Sequence, residues 1–201
     1  MNAAFEIPTL PRSLILSPAL TNEEFEALCA ANTLVQLERT KEGTIIVNPP
    51  AGGMTSDGNS EINHQLRSWW KQHRRGRSFD SSGGFFLPDG ASLNPDAAYI
   101  TEEQLAGLTK EDLTHFLHLA PAFVVELLSH SDNLEKAKDK MSSWIINGTQ
   151  LGWLVDPYAR TVHVYEAEKA PHLETGSRVV GTGPVAGFVL DLSEVWHCYE
   201  I

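Results

Sequence analysis

Cysteine is scarce: Cys29 and Cys198 are the only two in 201 residues, lie near opposite ends and form no C-x-x-C pair. That argues against a disulfide framework or a cysteine-based zinc site, leaves both thiols as small buried hydrophobes, and makes a reducing cytoplasm the default compartment. Long apolar runs are missing too. None approaches the ~20 residues of a membrane-spanning helix, and the N-terminus lacks a charged segment followed by an apolar core. A protein without membrane association is therefore expected. Cations are few, with 15 Lys and Arg against 26 Asp and Glu and a formal net charge of -11. Phosphate neutralisation supplies most non-specific nucleic-acid affinity, so only local clustering of cations could support such binding. One cluster exists, Lys71-Gln72-His73-Arg74-Arg75-Gly76-Arg77, at the end of an expected helix. It reads either as a solvated helix end whose cations complement the dipole or as a phosphate-contacting patch.

What is present is enough for one domain: 42% hydrophobic residues would let the chain bury roughly 70% of its unfolded surface. Residues 1–20 are Pro-rich and read as an N-terminal extension, with a single domain over 21–201. Thr21 and Glu24 form a capping box that opens a short helix ending near Asn32. Leu34–Arg39 and Thr44–Asn48 flank Thr40-Lys41-Glu42-Gly43 as a hairpin with Gly at the left-handed position. Residues 49–58 read as a loop. A helix from about Asn59 to Arg75 presents Ile62, Leu66, Trp69, Trp70 and His73 on one face. Short strands at Arg77–Asp80 and Gly84–Leu87 lead to a turn at Pro88-Asp89-Gly90 and a strand through Asp96.

One or two helical turns fill residues 101–119 before a strand through Glu126. Ser131 is the expected cap of a helix ending at Gly148, followed by a hairpin across Asp156-Pro157-Tyr158. The Gly-rich tail carries one more strand near Phe188-Val189-Leu190. Repeats and low-complexity tracts are absent from the sequence. Strands and helices interleave without regular βαβ alternation, so the expected fold class is α/β with a central mixed sheet flanked by helices.

Two carboxylates sit inside apolar runs: Asp96 in Asn94-Pro95-Asp96-Ala97-Ala98-Tyr99-Ile100, and Glu126 in Ala122-Phe123-Val124-Val125-Glu126-Leu127-Leu128-Ser129. A carboxylate there is costly to desolvate unless a cation or hydrogen-bond donors meet it. Hard oxygen ligands with open water positions suit Mg²⁺ or Mn²⁺, and the Leu127 carbonyl could add a third oxygen. The alternative is two carboxylates paired with Arg or Lys or capping nearby loops. In the following helix Leu134, Ala137, Met141, Trp144 and Ile145 make an apolar stripe; Lys138 and Lys140 flank it and Lys136 points away. A lysine bordering that stripe either reaches the carboxylates, where it would orient a water or neutralise a phosphoryl oxygen, or snorkels into solvent.

The stretch FVVELLSHSDNLEKAKDKMSSWIINGTQLGWLVDPYARTVHVYE, with NPDAAYI and LERTKEGTIIVNPP before it, resembles the bacterial Uma-type family of restriction endonucleases with the PD-(D/E)XK nuclease fold. The likeness spans roughly residues 20–195 and rests on Pro95-Asp96, Glu126-x-x-Ser129, Lys140, Trp144, Gly148 and Trp153-Leu154-Val155-Asp156-Pro157. It implies a metal-dependent endonuclease acting on DNA, with Mg²⁺ or Mn²⁺ on Asp96 and Glu126. Two departures stand out. The fold's usual lysine position, two residues after the acid, is Leu128, so the resemblance implies that the role has moved to Lys140, with Lys138 as fallback. An aromatic Tyr common in the family is Trp144, which keeps the packing and loses a hydroxyl.

The fold's first acid usually comes from an early helix, which implies Glu61, with Gln65 one turn later; ordinary dipole complementation explains Glu61 equally well. Glu38 matches a glutamate the family tends to carry, serving the site or pairing across the hairpin. A homodimer is compatible with the fold, whose nucleases often cut two strands with two sites. His115 and His118 lack a third ligand and read as surface or packing residues. Ser129-His130 has no G-x-S-x-G turn, and the Gly-rich segments at 51–54 and 181–183 lack a following Gly-Lys-Ser/Thr. Two other readings are a nuclease-fold interaction or nucleic-acid-binding module without turnover, and hydrolysis of a smaller phosphodiester.

Overall fold

A computed structural model describes residues 13–200. The first half runs β1 (Ser13–Leu14), α1 (Asn22–Ala31), β2 (Gln36–Arg39), β3 (Ile45–Asn48), α2 (Gly53–His73), β4 (Arg77–Asp80), β5 (Phe85–Phe86), β6 (Ser92–Leu93) and β7 (Ala97–Ile100). The second runs α3 (Glu102–Ala106), β8 (Phe123–Leu127), α4 (Leu134–Ile146), β9 (Leu151–Asp156), β10 (Thr161–Glu166), β11 (His172–Thr175), β12 (Arg178–Val180), β13 (Val189–Asp191) and α5 (Leu192–His197). The larger sheet has the order β11-β10-β9-β8-β7-β4. It is mixed: β8 and β9 are parallel, whereas β7 is antiparallel to β8. A second sheet, β1-β3-β2-β6-β5, packs its own small core of Phe25, Leu37, Ile45 and Phe86.

β8 reads as a continuous apolar run because both of its faces are buried. Phe123, Val125 and Leu127 join the core with Ile62 and Leu66 of α2, and Val124 and Leu128 join the one with Met141 and Trp144 of α4. By the two-residue period of a strand, Glu126 faces α4. Among the described residues, no helix is long and apolar enough to cross a membrane.

Local chemistry explains most boundaries. The Thr21 and Glu24 capping box is formed at α1, and Gly43 takes φ 85° in the β2–β3 hairpin. The start of α2 differs from expectation: it begins at Gly53, so six of the ten residues of the expected loop at 49–58 are helical. Gly, Thr, Ser and Asp are weak helix formers, but tertiary packing outweighs them. Gly58 is buried, and a Cβ there would lie 2.9 Å from Leu127 and 3.0 Å from Tyr199. Helix α4 is capped by Asn133, whose side chain accepts from the Lys136 N–H, rather than by Ser131. Ser13–Leu14 pairs with β3, so this part of the expected irregular extension is strand; residues 1–12 of it lie outside the described residues.

Candidate active site

The β7–β8 register pairs Ala97 with Val125, which sets Asp96, one residue before β7, beside Glu126. Helix α2 and strand β8 hold Asp96 from two sides. Asn59 Nδ2 donates to Asp96 Oδ1 at 2.8 Å, and the Leu127 N–H donates to Oδ2 at 2.7 Å. One turn along α2, Asn63 Nδ2 donates to the Asp96 carbonyl at 2.8 Å. Burial pushes the Asp96 carboxyl above its ordinary range, against the pull of the Leu127 N–H, Lys140 and Asn59.

Helix α4 holds Glu126 in the same way. Lys140 Nζ lies 2.9 Å from Oε2, and Trp144 Nε1 donates to Oε1 at 2.8 Å, so residues one turn apart grip both oxygens. Lys140 is also 2.8 Å from Glu38 Oε1 and donates to the Asn94 carbonyl at 2.9 Å. All three ammonium protons thus have acceptors. Glu38 in turn accepts from the Asn94 N–H and from Asn48 Nδ2. Burial pushes Glu126 up to about 8, with Lys140 opposing and Asp96 and Glu38 adding to the rise. Burial alone would lower Lys140, but the carboxylates of Glu126, Glu38 and Asp96 hold it above its ordinary value, so the amine is charged.

Three carboxyl groups therefore cluster around one ammonium; burial keeps a proton largely on Glu126 at neutral pH, and a divalent ion would displace it and balance the carboxylates. Two amide oxygens in the same cluster, Asn59 Oδ1 and Asn94 Oδ1, are buried without a hydrogen-bond partner. Carboxylate and amide oxygens are the donor set of Mg²⁺ or Mn²⁺. Among the described residues no three His, Cys, Asp or Glu side chains converge closely enough to cage an ion alone. An ion here would draw on two carboxylates, amide oxygens and water, which is the usual habit of Mg²⁺. The residues present fit it.

Of the candidates, Asp96, Glu126, Lys140 and Glu38 come together and Glu61 does not. Glu61 Oε1 accepts from Gln65 Nε2, and Gln65 clamps both backbone groups of Asp191 at the start of α5. Two residues along a helix is a turn of about 200°, so Glu61 faces away from the side that Asn59 presents to Asp96. Lys138 pairs with Glu135 at 2.8 Å on the surface of α4. Leu127 meets Asp96 through its N–H, a role beside the expected one of its carbonyl. Ser129 belongs to the loop: its N–H donates to Asp132 Oδ2. Asn59 and Asn63 escaped the sequence reading; their signal was a pair of poor helix formers four residues apart on one face. Trp144 keeps the packing and lacks the hydroxyl, and its indole N–H supplies a donor to Glu126 that the sequence reading did not anticipate.

Comparison with known proteins agrees with this architecture. Residues 22–193 match the model of the Uma2 family, described as "Putative restriction endonuclease". Among solved structures, one titled as a putative nuclease belonging to DUF820 from Anabaena variabilis superposes with a TM-score of 0.74 at 24% identity. The match covers 90% of this chain and 99% of that one. At that identity the likeness speaks for the fold alone. No curated protein matches the chain. The family match spans most of the sequence, and the chain belongs to the Uma2 family, with the α/β fold of its nuclease-like neighbour.

Proposed function

We propose that this protein is a Mg²⁺- or Mn²⁺-dependent endonuclease that hydrolyses DNA phosphodiester bonds at Asp96, Glu126 and Lys140. The observation that carries the reading is the donor set of a preorganised cluster: three carboxyl groups, one ammonium and two unpartnered amide oxygens. Asp96 and Glu126 would hold the ion. When bound, a divalent cation supplies Lewis-acid polarisation of a phosphoryl oxygen and lowers the pKa of water. The remaining work falls to the chain. Asn59 and the Leu127 N–H fix the Asp96 carboxylate, and Lys140 with Trp144 fixes that of Glu126, so both are oriented before substrate arrives. Lys140, held charged at neutral pH, serves as a cation that neutralises developing negative charge rather than as a base. DNA is the partner on this reading and the cytoplasm the compartment.

The test is Asp96→Ala: Mg²⁺-dependent cleavage of plasmid DNA should be abolished while the far-UV circular dichroism is retained. Unchanged cleavage would sink the assignment. A second reading has its own observation. Lys140 spends all three protons inside the protein, which suits a nuclease-fold module without turnover. Calorimetric titration of Mn²⁺ into wild type and Glu126→Gln separates the two, because a module needs no carboxylate-dependent metal binding.

A further inference from the structure

Helix α2 links the carboxylate cluster to the basic segment. Asn59, Asn63, Arg67 and Lys71 follow one another at four-residue steps, a row that winds about 40° around the helix at each step. The first two touch Asp96, and Arg67 and Lys71 are exposed. From Asn59 to Lys71 the axial rise is about 18 Å, the length of about five base steps of one DNA strand. Beyond Lys71 the helix stops at Arg74, whose left-handed φ of 56° turns the chain toward Arg77 on β4, the edge strand of the sheet.

The guanidinium groups are held in place. Arg67 lies 3.9 Å from the centre of the Trp70 ring and donates to Ser78 Oγ; Arg74 lies 5.2 Å from the same ring and donates to the Lys71 carbonyl. Among the described residues, Arg67, Lys71, Arg74 and Arg77 form no ion pair with any carboxylate. Arg75 is set aside, because it lies close enough to Glu103 to favour that carboxylate. In a chain with 26 acidic residues, four neighbouring cations without a partner stand out. Two of them are ordered by an aromatic ring with N–H donors to spare, the arrangement by which Arg recognises phosphate.

We infer that this end of α2 is a docking surface for the phosphate backbone of duplex DNA, carrying it along the helix toward Asp96. The inference rests on DNA being the partner, as in the function proposed above. It supplies the local positive charge that the net charge denies.

Fluorescence anisotropy of a labelled 20-base-pair duplex in EDTA, over a series of salt concentrations, tests it without any cleavage. Wild type should bind with a steep salt dependence. The triple variant Arg67→Ala, Lys71→Ala, Arg74→Ala should lose at least about tenfold in affinity and about two to three units of the log–log slope, near one per lost phosphate contact. Lys71→Glu, which removes no side-chain hydrogen bond, should show a smaller loss in the same direction if the triple variant folds poorly. Wild-type affinity and slope in both variants would overturn the surface, as would a wild type that binds no duplex. A wild type that binds through these residues yet never cleaves with Mg²⁺ sustains the surface and removes the nuclease.

Discussion

Replacing Lys140 with Met keeps most of the aliphatic stem and deletes the only cation that, among the described residues, pairs with Glu126 and Glu38. The side chains of Lys140, Glu126 and Glu38 are 23%, 11% and 10% exposed, so the pairs are largely shielded from water. Removing one partner of a buried pair costs about 3–5 kcal/mol, and the residual exposure of Lys140 places the loss near the lower end, about 3 kcal/mol. The loss must depend on pH. Glu126 already sits above its ordinary 4.5, at about 8, and Lys140 is a main influence restraining it, so the variant raises it further. A carboxyl whose pKa is higher folded than unfolded keeps a proton that the unfolded chain has released. Stability is then present below the unfolded pKa and falls as pH rises through the interval, by about 1.4 kcal/mol per unit. Urea denaturation of wild type and Lys140→Met should therefore differ by about 3 kcal/mol at pH 8.5, and by up to about 1 kcal/mol less at pH 5, where Glu126 keeps its proton in both. Mn²⁺ at a hundred times its dissociation constant should return about 2.7 kcal/mol at the higher pH. A deficit below about 1 kcal/mol at pH 8.5, or one that is equal at both pH values, would refute the electrostatic account of the cluster.

Glu126→Gln removes one of the two carboxyls whose pKa is raised, so the metal-free variant should show a shallower fall in stability between pH 4.5 and about 8 than wild type, as read by denaturation across that range. Trp144→Phe keeps the edge-to-face contact with Phe85 but strips Glu126 Oε1 of its donor; denaturation should show a loss of about 1–3 kcal/mol, and an unchanged midpoint would count against the bond. Glu61→Gln should leave Mg²⁺-dependent cleavage within about twofold of wild type, because its carboxylate faces Gln65 and not Asp96; a loss of several hundredfold would restore it to the site.

The carboxylates were legible in the sequence because their surroundings are apolar: Ala97, Ala98, Val125 and Leu127 leave no doubt that Asp96 and Glu126 are buried by strands. The lysine was not. Helix geometry alone left Lys138 and Lys140 on either side of one stripe, and only a family spacing separated them. The reading of Glu61 as a first-turn acid depended on a helix start near Asn59, but α2 starts six residues earlier and Glu61 lies in its third turn. That start was hidden because poor helix formers are held there by packing against Leu127 and Tyr199, which no local pattern records. Helix α5 and strand β12 are six and three residues long, too short for periodicity to register. The clamp of Gln65 on Asp191, which ties the last part of the chain to α2, joins residues 126 apart.

The position of the lysine follows from how β8 is buried. Residues 124, 126 and 128 all face α4, so a lysine at 128 would stand on the same side as Glu126, among Met141 and Trp144. The chain puts Leu128 there, only 6% exposed, and brings the cation down from the helix instead. A strand lysine beside Glu126 offers one donor group from one direction. Lys140 and Trp144, one turn apart, offer two and bind the two oxygens separately. Met141 and Trp144 are fully buried beneath α4, so the apolar contacts that dock the helix also set both donors on Glu126. Site electrostatics and helix docking are therefore coupled: any change that lifts α4 from the sheet strips Glu126 of its cation and its indole together.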